Sequence, residues 1–381
     1  MKRKISVTTG TRAEYGIMKP ILDEIVKSKK LELCLIVAGM HLSNKYGNTV
    51  DEIKKDGFEI FSKVKMLPSE DSLYGMSKSL GKGIIEFSNI FRKLKPDINL
   101  VLGDRDEMLA STVAAYHMNI PNAHIHGGDR SQGGIDEYNR HAITKMSNIH
   151  FAATKKSQRR IIKMGENPKF VFLTGSPSID QIRKNHITSK TILEKKYHVK
   201  FNGTEILLLQ HPVTTQTESS KNQILNTLRA IKKLKKTTIA LAPNSDAGNK
   251  IISSLLRCYS KKYDFIHVYK SIPRSDFLGM LNLCGVLVGN SSSGMIEASY
   301  FNIPVVNIGI RQEGRERGRN VLDSSNNAND IRSTILLALK RRDLKHTNEF
   351  LYGKGFASNA IVKILEKINL GKELIEKKIS Y

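Results

Sequence analysis

The 381-residue chain contains no apolar run approaching the ~18–20 residues needed to span a bilayer, which argues against a helical membrane protein. Its amino terminus is basic, but the apolar segment at 5–9 breaks at Thr9-Gly10. No long apolar region or small-residue cleavage site follows, so a secretory leader is not expected. Cysteine is scarce. Cys34, Cys258 and Cys284 lie far apart, each in or beside an apolar run. That spacing provides neither a disulfide framework nor a metal site, and it predicts buried, reduced thiols in a cytoplasmic protein. Acidic residues are also few, 36 against 61 Lys+Arg, for a net charge of +25. Yet there is no zinc-finger spacing, aromatic RNA-binding signature or arginine-rich tail. The lysines are spread in short runs such as 232–236 and 261–262. A lysine-rich solvated surface therefore explains the charge better than a nucleic-acid groove, and it favours a small anionic substrate.

What is present alternates. The length predicts two domains of roughly 180 residues each. Short apolar runs at 5–9, 33–38, 98–102, 123–125, 151–154 and 170–173 read as strands of one parallel sheet, with helices near 16–29 and 69–96. A second series runs through 205–209, 238–241, 265–269, 286–288 and 304–308. The expected organisation is a first α/β domain over 1–178, a second over 179–358, and a segment at 359–381 whose helix, around 360–367, packs back on the first domain.

Ligands of open α/β sheets sit at the carboxyl ends of the strands, and two such domains imply a ligand in the cleft between them. The residues there are informative. Gly103-Asp104-Arg105 follows the run at 98–102, and His126-Gly127-Gly128-Asp129 follows that at 123–125, with Asp136 beyond it. A strand ending in Gly-Asp is by itself a common turn. The loop at 126–135 holds five polar residues and four glycines, more flexibility than a connection needs. Acids and imidazoles converging on a sheet edge suit acid–base chemistry. Thr9-Gly10-Thr11-Arg12 opens a helix, so backbone N–H groups and Arg12 form a candidate anion site, although it is neither a Walker motif nor G-x-G-x-x-G. Gly289-Asn290-Ser291-Ser292-Ser293-Gly294, before a helix expected at 295–300, is a second one, with Glu297 and Arg311 at the same end.

Taken together, the sequence resembles the hydrolysing UDP-N-acetylglucosamine 2-epimerases, relatives of the non-hydrolysing bacterial epimerases and of the epimerase half of the bifunctional sialic-acid enzyme. The resemblance covers almost the whole chain. It rests on T-G-T-R-A-E-Y-G at 9–16, G-D-R at 103–105, H-x-x-G-G at 124–128, G-x-I-D-E and R-H-A-I-T-K within 133–145, and G-S-P-S-I-D at 175–180. It continues through Q-H-P-V-T-T at 210–215, P-N-S-D-A-G-N-K at 243–250, G-N-S-S-S-G at 289–294, Glu297, and R-Q-E-G-R-E at 311–316. It implies a GT-B type fold, two Rossmann-like domains with parallel sheets facing a central cleft. It also implies a reaction without cofactor or metal: UDP is eliminated to give a glycal, and water then adds to release the free 2-epimer, ManNAc from UDP-GlcNAc, as in sialic-acid biosynthesis.

By the same resemblance Asp104, His126, Asp136 and His211 form the catalytic group, and Arg12, His211, Ser291 and Ser292 hold the diphosphate. Gly16, Arg105, Asn244, Asp246 and Lys250 lie near the nucleotide, Glu297 takes the ribose hydroxyls, and Arg311 contacts sugar or phosphate. The partner expected is a small-molecule UDP-sugar, with neither nucleic acid nor membrane, and the protein a homodimer or higher homo-oligomer. One position departs. Where the family commonly has H-I-E-G-G-E, this chain has His124-Ile125-His126-Gly127-Gly128-Asp129, so the third catalytic carboxylate is replaced by His126. An imidazole works as acid or base near neutrality but supplies no negative charge. The departure opens UDP-N,N′-diacetylbacillosamine as an alternative substrate. A non-hydrolysing epimerase, a GT-B glycosyltransferase and a non-catalytic UDP-sugar binder are the other readings.

Overall fold

The structure, a computed structural model, describes residues 2–68, 70–131, 134–184, 187–342 and 350–380. The chain divides into two compact units. Unit 1 comprises Met1–Asp129, Asp136–Lys184 and Tyr352–Tyr381, and unit 2 comprises Arg130–Ile135 and Asn185–Leu351.

Unit 1 is built on seven parallel strands: β1 (Arg3–Thr9), β2 (Leu31–Ala38), β3 (Ile60–Val64), β4 (Ile98–Leu102), β5 (Asn122–Ile125), β6 (Ile149–Ala152) and β7 (Val171–Leu173), in the order β3-β2-β1-β4-β5-β6-β7. The central strands are nearly continuous apolar runs because helices cover both faces; every residue of β4 is buried. The helix expected from Gly16 starts four residues earlier, at Arg12. Thr11 caps it, its hydroxyl accepting from Glu14 N while the Glu14 carboxylate accepts from the Thr11 backbone. The long helix expected within 69–96 is Leu73–Leu94. The carboxyl-terminal helix Ala357–Lys367 packs on Arg12–Lys27. The Asp180 carboxylate caps it, accepting from Ala357 N and Ser358 N at 3.1 and 2.7 Å. Ile361, Val362, Leu365 and Leu374 thereby join the main core with Met18, Ile21, Ile25 and the strands.

Unit 2 holds six parallel strands: β8 (Ile206–Leu209), β9 (Thr238–Leu241), β10 (Ile266–Tyr269), β11 (Val286–Gly289), β12 (Val305–Ile308) and β13 (Val321–Ser324), in the order β10-β9-β8-β11-β12-β13. In each sheet the strand order reverses once, between β1 and β4 in unit 1 and between β8 and β11 in unit 2. Such switch points open a crevice at the carboxyl ends of the two strands, where doubly wound folds place their ligands. One sequence expectation fails here: Cys34 and Cys284 are buried, but Cys258 is exposed, because it falls on the solvent face of helix Asn249–Lys262. Among the described residues, no helix is long and apolar enough to cross a membrane.

Candidate active site

In unit 1, β4 ends at the switch point and delivers Gly103-Asp104-Arg105. Gly103 takes the turn with φ +77°. Asp104 meets the guanidinium of Arg140, which projects from helix Ile135–Lys145 and is 1% exposed. Arg140 also donates to Glu137 Oε2 at 2.8 Å and to the Asp129 carbonyl at 3.2 Å. A guanidinium this deep needs such compensation. Burial works against its charge, but Asp104 and then Asp129 keep its pKa above the ordinary arginine value. Asp136 stands in the first turn of the same helix, where a carboxylate suits the dipole. Gln132 and Gly133 of the preceding loop lie outside the described residues.

The second constellation follows β5. His126 is 6% exposed and has φ +65°, a left-handed conformation that costs a non-glycine residue about 1 kcal/mol or more. Three bonds hold it there. Its N–H donates to the Phe151 carbonyl at 3.1 Å, Nδ1 lies 2.9 Å from Asp129 Oδ2, and Nε2 lies 2.8 Å from Ser176 Oγ. A carboxylate only accepts, so the Nδ1 position carries a proton and Nε2 faces the serine. Asp129, 3% exposed, is fixed in turn by the Ser157 hydroxyl at 2.7 Å. Gly128 must be glycine, since its φ is +71° and a Cβ would strike the Ser157 carbonyl. The result is a connected chain that runs from the half-buried Asp104 to the buried Arg140, through the Asp129 main-chain carbonyl and carboxylate to His126, and on to Ser176. His124, its neighbour on β5, stays out of it. Burial pushes that imidazole down to about 3, and it bridges the Gly103 carbonyl and Thr144.

The first loop is arranged differently from the expectation. Gly10 N and Thr11 N, read as anion donors, both point at Glu14 Oε2, each at 3.0 Å. The capping box has consumed them. Burial and the nearby Glu107 push the Glu14 carboxyl up to about 8. Arg12 pairs with Glu52 at 2.5 Å, and Arg105 lies 3.3 Å from Glu107. Gly16 lies inside the helix, a turn beyond the loop. Any anion grip here therefore rests on Arg12 and Arg105.

In unit 2 the switch point is organised by Asn290, which follows β11. Its Oδ1 accepts from His211 N at 2.7 Å, its Nδ2 donates to the His211 carbonyl at 2.9 Å, and its own carbonyl accepts from Arg311 at 3.2 Å and Gln312 at 3.0 Å. Asn244 N donates to His211 Nδ1 at 3.2 Å, which places the proton of the neutral ring on Nε2. His211 and Arg311 thus converge on Asn290, and Asn244 joins them through the His211 ring. Asp246 accepts from Asn244 Nδ2 at 2.6 Å. Ser291 and Ser292 lead a 3₁₀ turn, Ser292–Gly294, and the helix begins only at Glu297 instead of the expected 295. Glu297, 2% exposed, pairs with Arg274 at 2.5 Å, and Lys250 is exposed at the start of its helix. Arg140, Ser176, Asn290 and Arg274 were not among the expected site residues. Arg140, Ser176 and Asn290 lie in the quoted motifs, so a signal existed for three of the four.

The chain matches known proteins along most of its length. The family model described as UDP-N-acetylglucosamine 2-epimerase matches residues 23–366. The UDP-N,N′-diacetylbacillosamine 2-epimerase (hydrolyzing) of Legionella pneumophila is 38% identical over 381 residues, 100% of both chains. The GDP/UDP-N,N′-diacetylbacillosamine 2-epimerase (hydrolyzing) of Campylobacter jejuni is 34% identical, over 86% of this chain and 85% of its own. Among solved structures, UDP-GlcNAc 2-epimerase from Neisseria meningitidis, bound to UDP-GlcNAc, superposes with a TM-score of 0.79 at 20% identity, covering 96% of this chain and 100% of that one.

Proposed function

The chain belongs to the UDP-N-acetylglucosamine 2-epimerase family, and we propose that it is a hydrolysing 2-epimerase that converts a UDP-2-acetamido sugar and water to UDP and the free 2-epimer. UDP-N,N′-diacetylbacillosamine is the favoured substrate and UDP-GlcNAc the competing one. The two relatives at 38% and 34% identity carry the diacetylbacillosamine sugar in their names, which supports that preference.

The observation that carries the reading is the chain from the half-buried Asp104 through the buried Arg140 and Asp129 to His126, beyond the carboxyl ends of β4 and β5. In the first step a base takes the C2 proton, the C–H electrons form the C1=C2 bond, and UDP departs with the C1–O pair. In the second, water gives its hydroxyl to C1 and a proton returns to C2 on the opposite face. Both steps are redox-neutral, and the reading assigns no cofactor. Asp104 and Asp136 share the proton transfers with His126, whose Asp129 partner supplies the negative charge that an imidazole lacks. The leaving diphosphate gathers charge as the C1–O bond breaks, so preorganised donors count most there. His211 Nε2–H, Arg311, Ser291 and Ser292 serve in unit 2, and Arg12 in unit 1. Lys250, Asn244, Asp246, Gly16 and Arg105 attend the nucleotide and Glu297 the ribose. A cytoplasmic location and a homo-oligomeric state complete the proposal; sedimentation of the purified protein checks the latter.

The test is incubation with a panel of UDP-sugars in D₂O, with products read by NMR and mass spectrometry. Free 2-epimer with deuterium at C2, together with UDP, is expected. A UDP-linked epimer identifies the non-hydrolysing reaction, transfer to an added acceptor identifies a glycosyltransferase, and binding without turnover of any sugar sinks the enzymatic reading.

A further inference from the structure

The carboxyl-terminal segment of unit 1 is stitched to the far end of the helix that carries Asp136, Glu137 and Arg140. Lys377 Nζ donates to the carbonyls of Lys145 and Ser147 at 2.5 and 2.8 Å, and reaches Glu166 Oε2 at 2.6 Å. Glu166 is 1% exposed and takes two further donors, Lys145 Nζ at 2.6 Å and His150 Nε2 at 3.1 Å. Burial opposes its ionisation, yet the hydrogen bonds from His150, Lys145 and Lys377 hold its carboxyl down to about 2. The backbone is tied as well: Asn148 Nδ2 donates to the Leu374 carbonyl at 2.8 Å, and Ser380 N to the Gly165 carbonyl at 3.0 Å. A helix leaves its last carbonyls without intrahelical partners, and a cation is most favourable there. Lys377 meets both needs from more than 200 residues away in sequence.

We propose that residues 374–380 are a strap that fixes helix Ile135–Lys145 along its axis, and that Lys377 is a positioning residue for the reaction. The inference rests on the acid–base roles assigned above to Asp104, Asp136 and His126. Lys145 and Arg140 are little more than a helical turn apart, so the carbonyls that Lys377 holds and the guanidinium that meets Asp104 move as one body. Arg140 bonds Glu137 and Asp129 at 2.8–3.2 Å. A slip of about 1 Å ruins such geometry and is enough to cost on the order of 10²-fold in rate.

The experiment compares wild type with Lys377→Met and Lys377→Arg. For Lys377→Met, kcat falls about tenfold or more, while KM and the UDP dissociation constant stay within about twofold, because the loss lies in alignment and not in binding. Amide exchange accelerates at residues 140–147, and Lys377→Arg restores most of the rate. Wild-type kcat in Lys377→Met overturns the proposal, even with a lowered Tm, because a merely structural tie moves Tm alone. Should Lys377→Met fail to fold, the shorter, uncharged Lys377→Gln carries the test through its two readouts together: kcat and protection at 140–147 both hold or both fall if the strap positions the helix, and a change in one without the other overturns the proposal. A wild type that turns over no UDP-sugar defeats the epimerase reading instead. The strap is then judged by exchange: unchanged protection at 140–147 in Lys377→Met refutes it, and lost protection supports it.

Discussion

Asp129→Asn removes one charge and almost no volume from the centre of the buried chain. Asp129 accepts from His126 Nδ1–H at 2.9 Å through Oδ2, and from the Ser157 hydroxyl at 2.7 Å through Oδ1. An amide cannot reproduce both. If its NH₂ faces the ring, it donates to Nδ1 and drives the imidazole proton to Nε2, where it points at Ser176 and ends the ring's use as a base. If its oxygen faces the ring, the NH₂ meets the Ser157 hydroxyl, which already accepts from Thr154 at 2.9 Å and loses its own acceptor. Each rotamer forfeits one charge-assisted bond in a site that is 3% exposed, a destabilisation of roughly 1–3 kcal/mol. The wrong tautomer is the larger effect: kcat should fall by on the order of 10²–10⁴, with UDP affinity unchanged. Steady-state kinetics and calorimetry read these quantities, and ¹⁵N shifts of the His126 ring report the tautomer directly. An Asp129→Asn enzyme with wild-type kcat would show that the Asp129–His126 pair only supports the loop. The same geometry warns against testing His126→Glu alone. A carboxylate there would face Asp129, and like charges about 3 Å apart cannot both stay ionised. His126→Glu with Asp129→Asn is the informative form.

Arg12→Ala should weaken UDP binding about tenfold, the low end of the ~1.5–3 kcal/mol for a charge-assisted bond, since some of its strength is already committed to Glu52 at 2.5 Å; unchanged affinity by calorimetry removes the first loop from the site. Asp104→Asn and Asp136→Asn should each keep UDP binding and lose turnover by on the order of a hundredfold, with wild type incorporating solvent deuterium at C2; normal turnover in either variant makes that residue structural. Glu14 gives a pH test. Its carboxyl is raised from 4.5 to about 8 in the fold, so the stability tied to its proton is present below about 4.5 and is lost as pH rises toward 8. Wild type should therefore lose more Tm than Glu14→Gln between pH 6 and 8.5, and parallel melting curves would refute the buried proton.

The sequence was legible where one residue type dominates a run. β4 reads as a strand because Ile98–Leu102 is buried on both faces and wholly apolar but for Asn99. β3 and β13 escaped because they are edge strands; Phe61, Lys63 and Asp323 face solvent and break the pattern. Acidic and imidazole residues at strand ends pointed to Asp104 and His126, since that placement follows from local sequence. Their partners did not. Ser176 is 50 residues from His126, and nothing local links them. Arg140 sits in a charged helix whose sequence suggests a solvated face, yet the fold buries it to 1% and spends it on Asp104. Asn290, inside Gly-Asn-Ser-Ser-Ser-Gly, looks like an ordinary cap, and its role as a hub requires β8 and β11 to be neighbours.

The division of unit 1 between both ends of the sequence has a consequence for synthesis. Ile361, Leu365 and Leu374 complete the core around Met18, Ile21 and Ile25. A nascent chain has therefore made all of unit 2 before it can close unit 1. During that interval the part of helix Arg12–Lys27 that Ala357–Lys367 covers waits exposed, a place for a ribosome-associated chaperone to act and for a prematurely terminated chain to aggregate. Amino-terminal fragments ending near residue 350 should accumulate as protease-sensitive, chaperone-bound species, whereas adding Tyr352–Tyr381 closes unit 1.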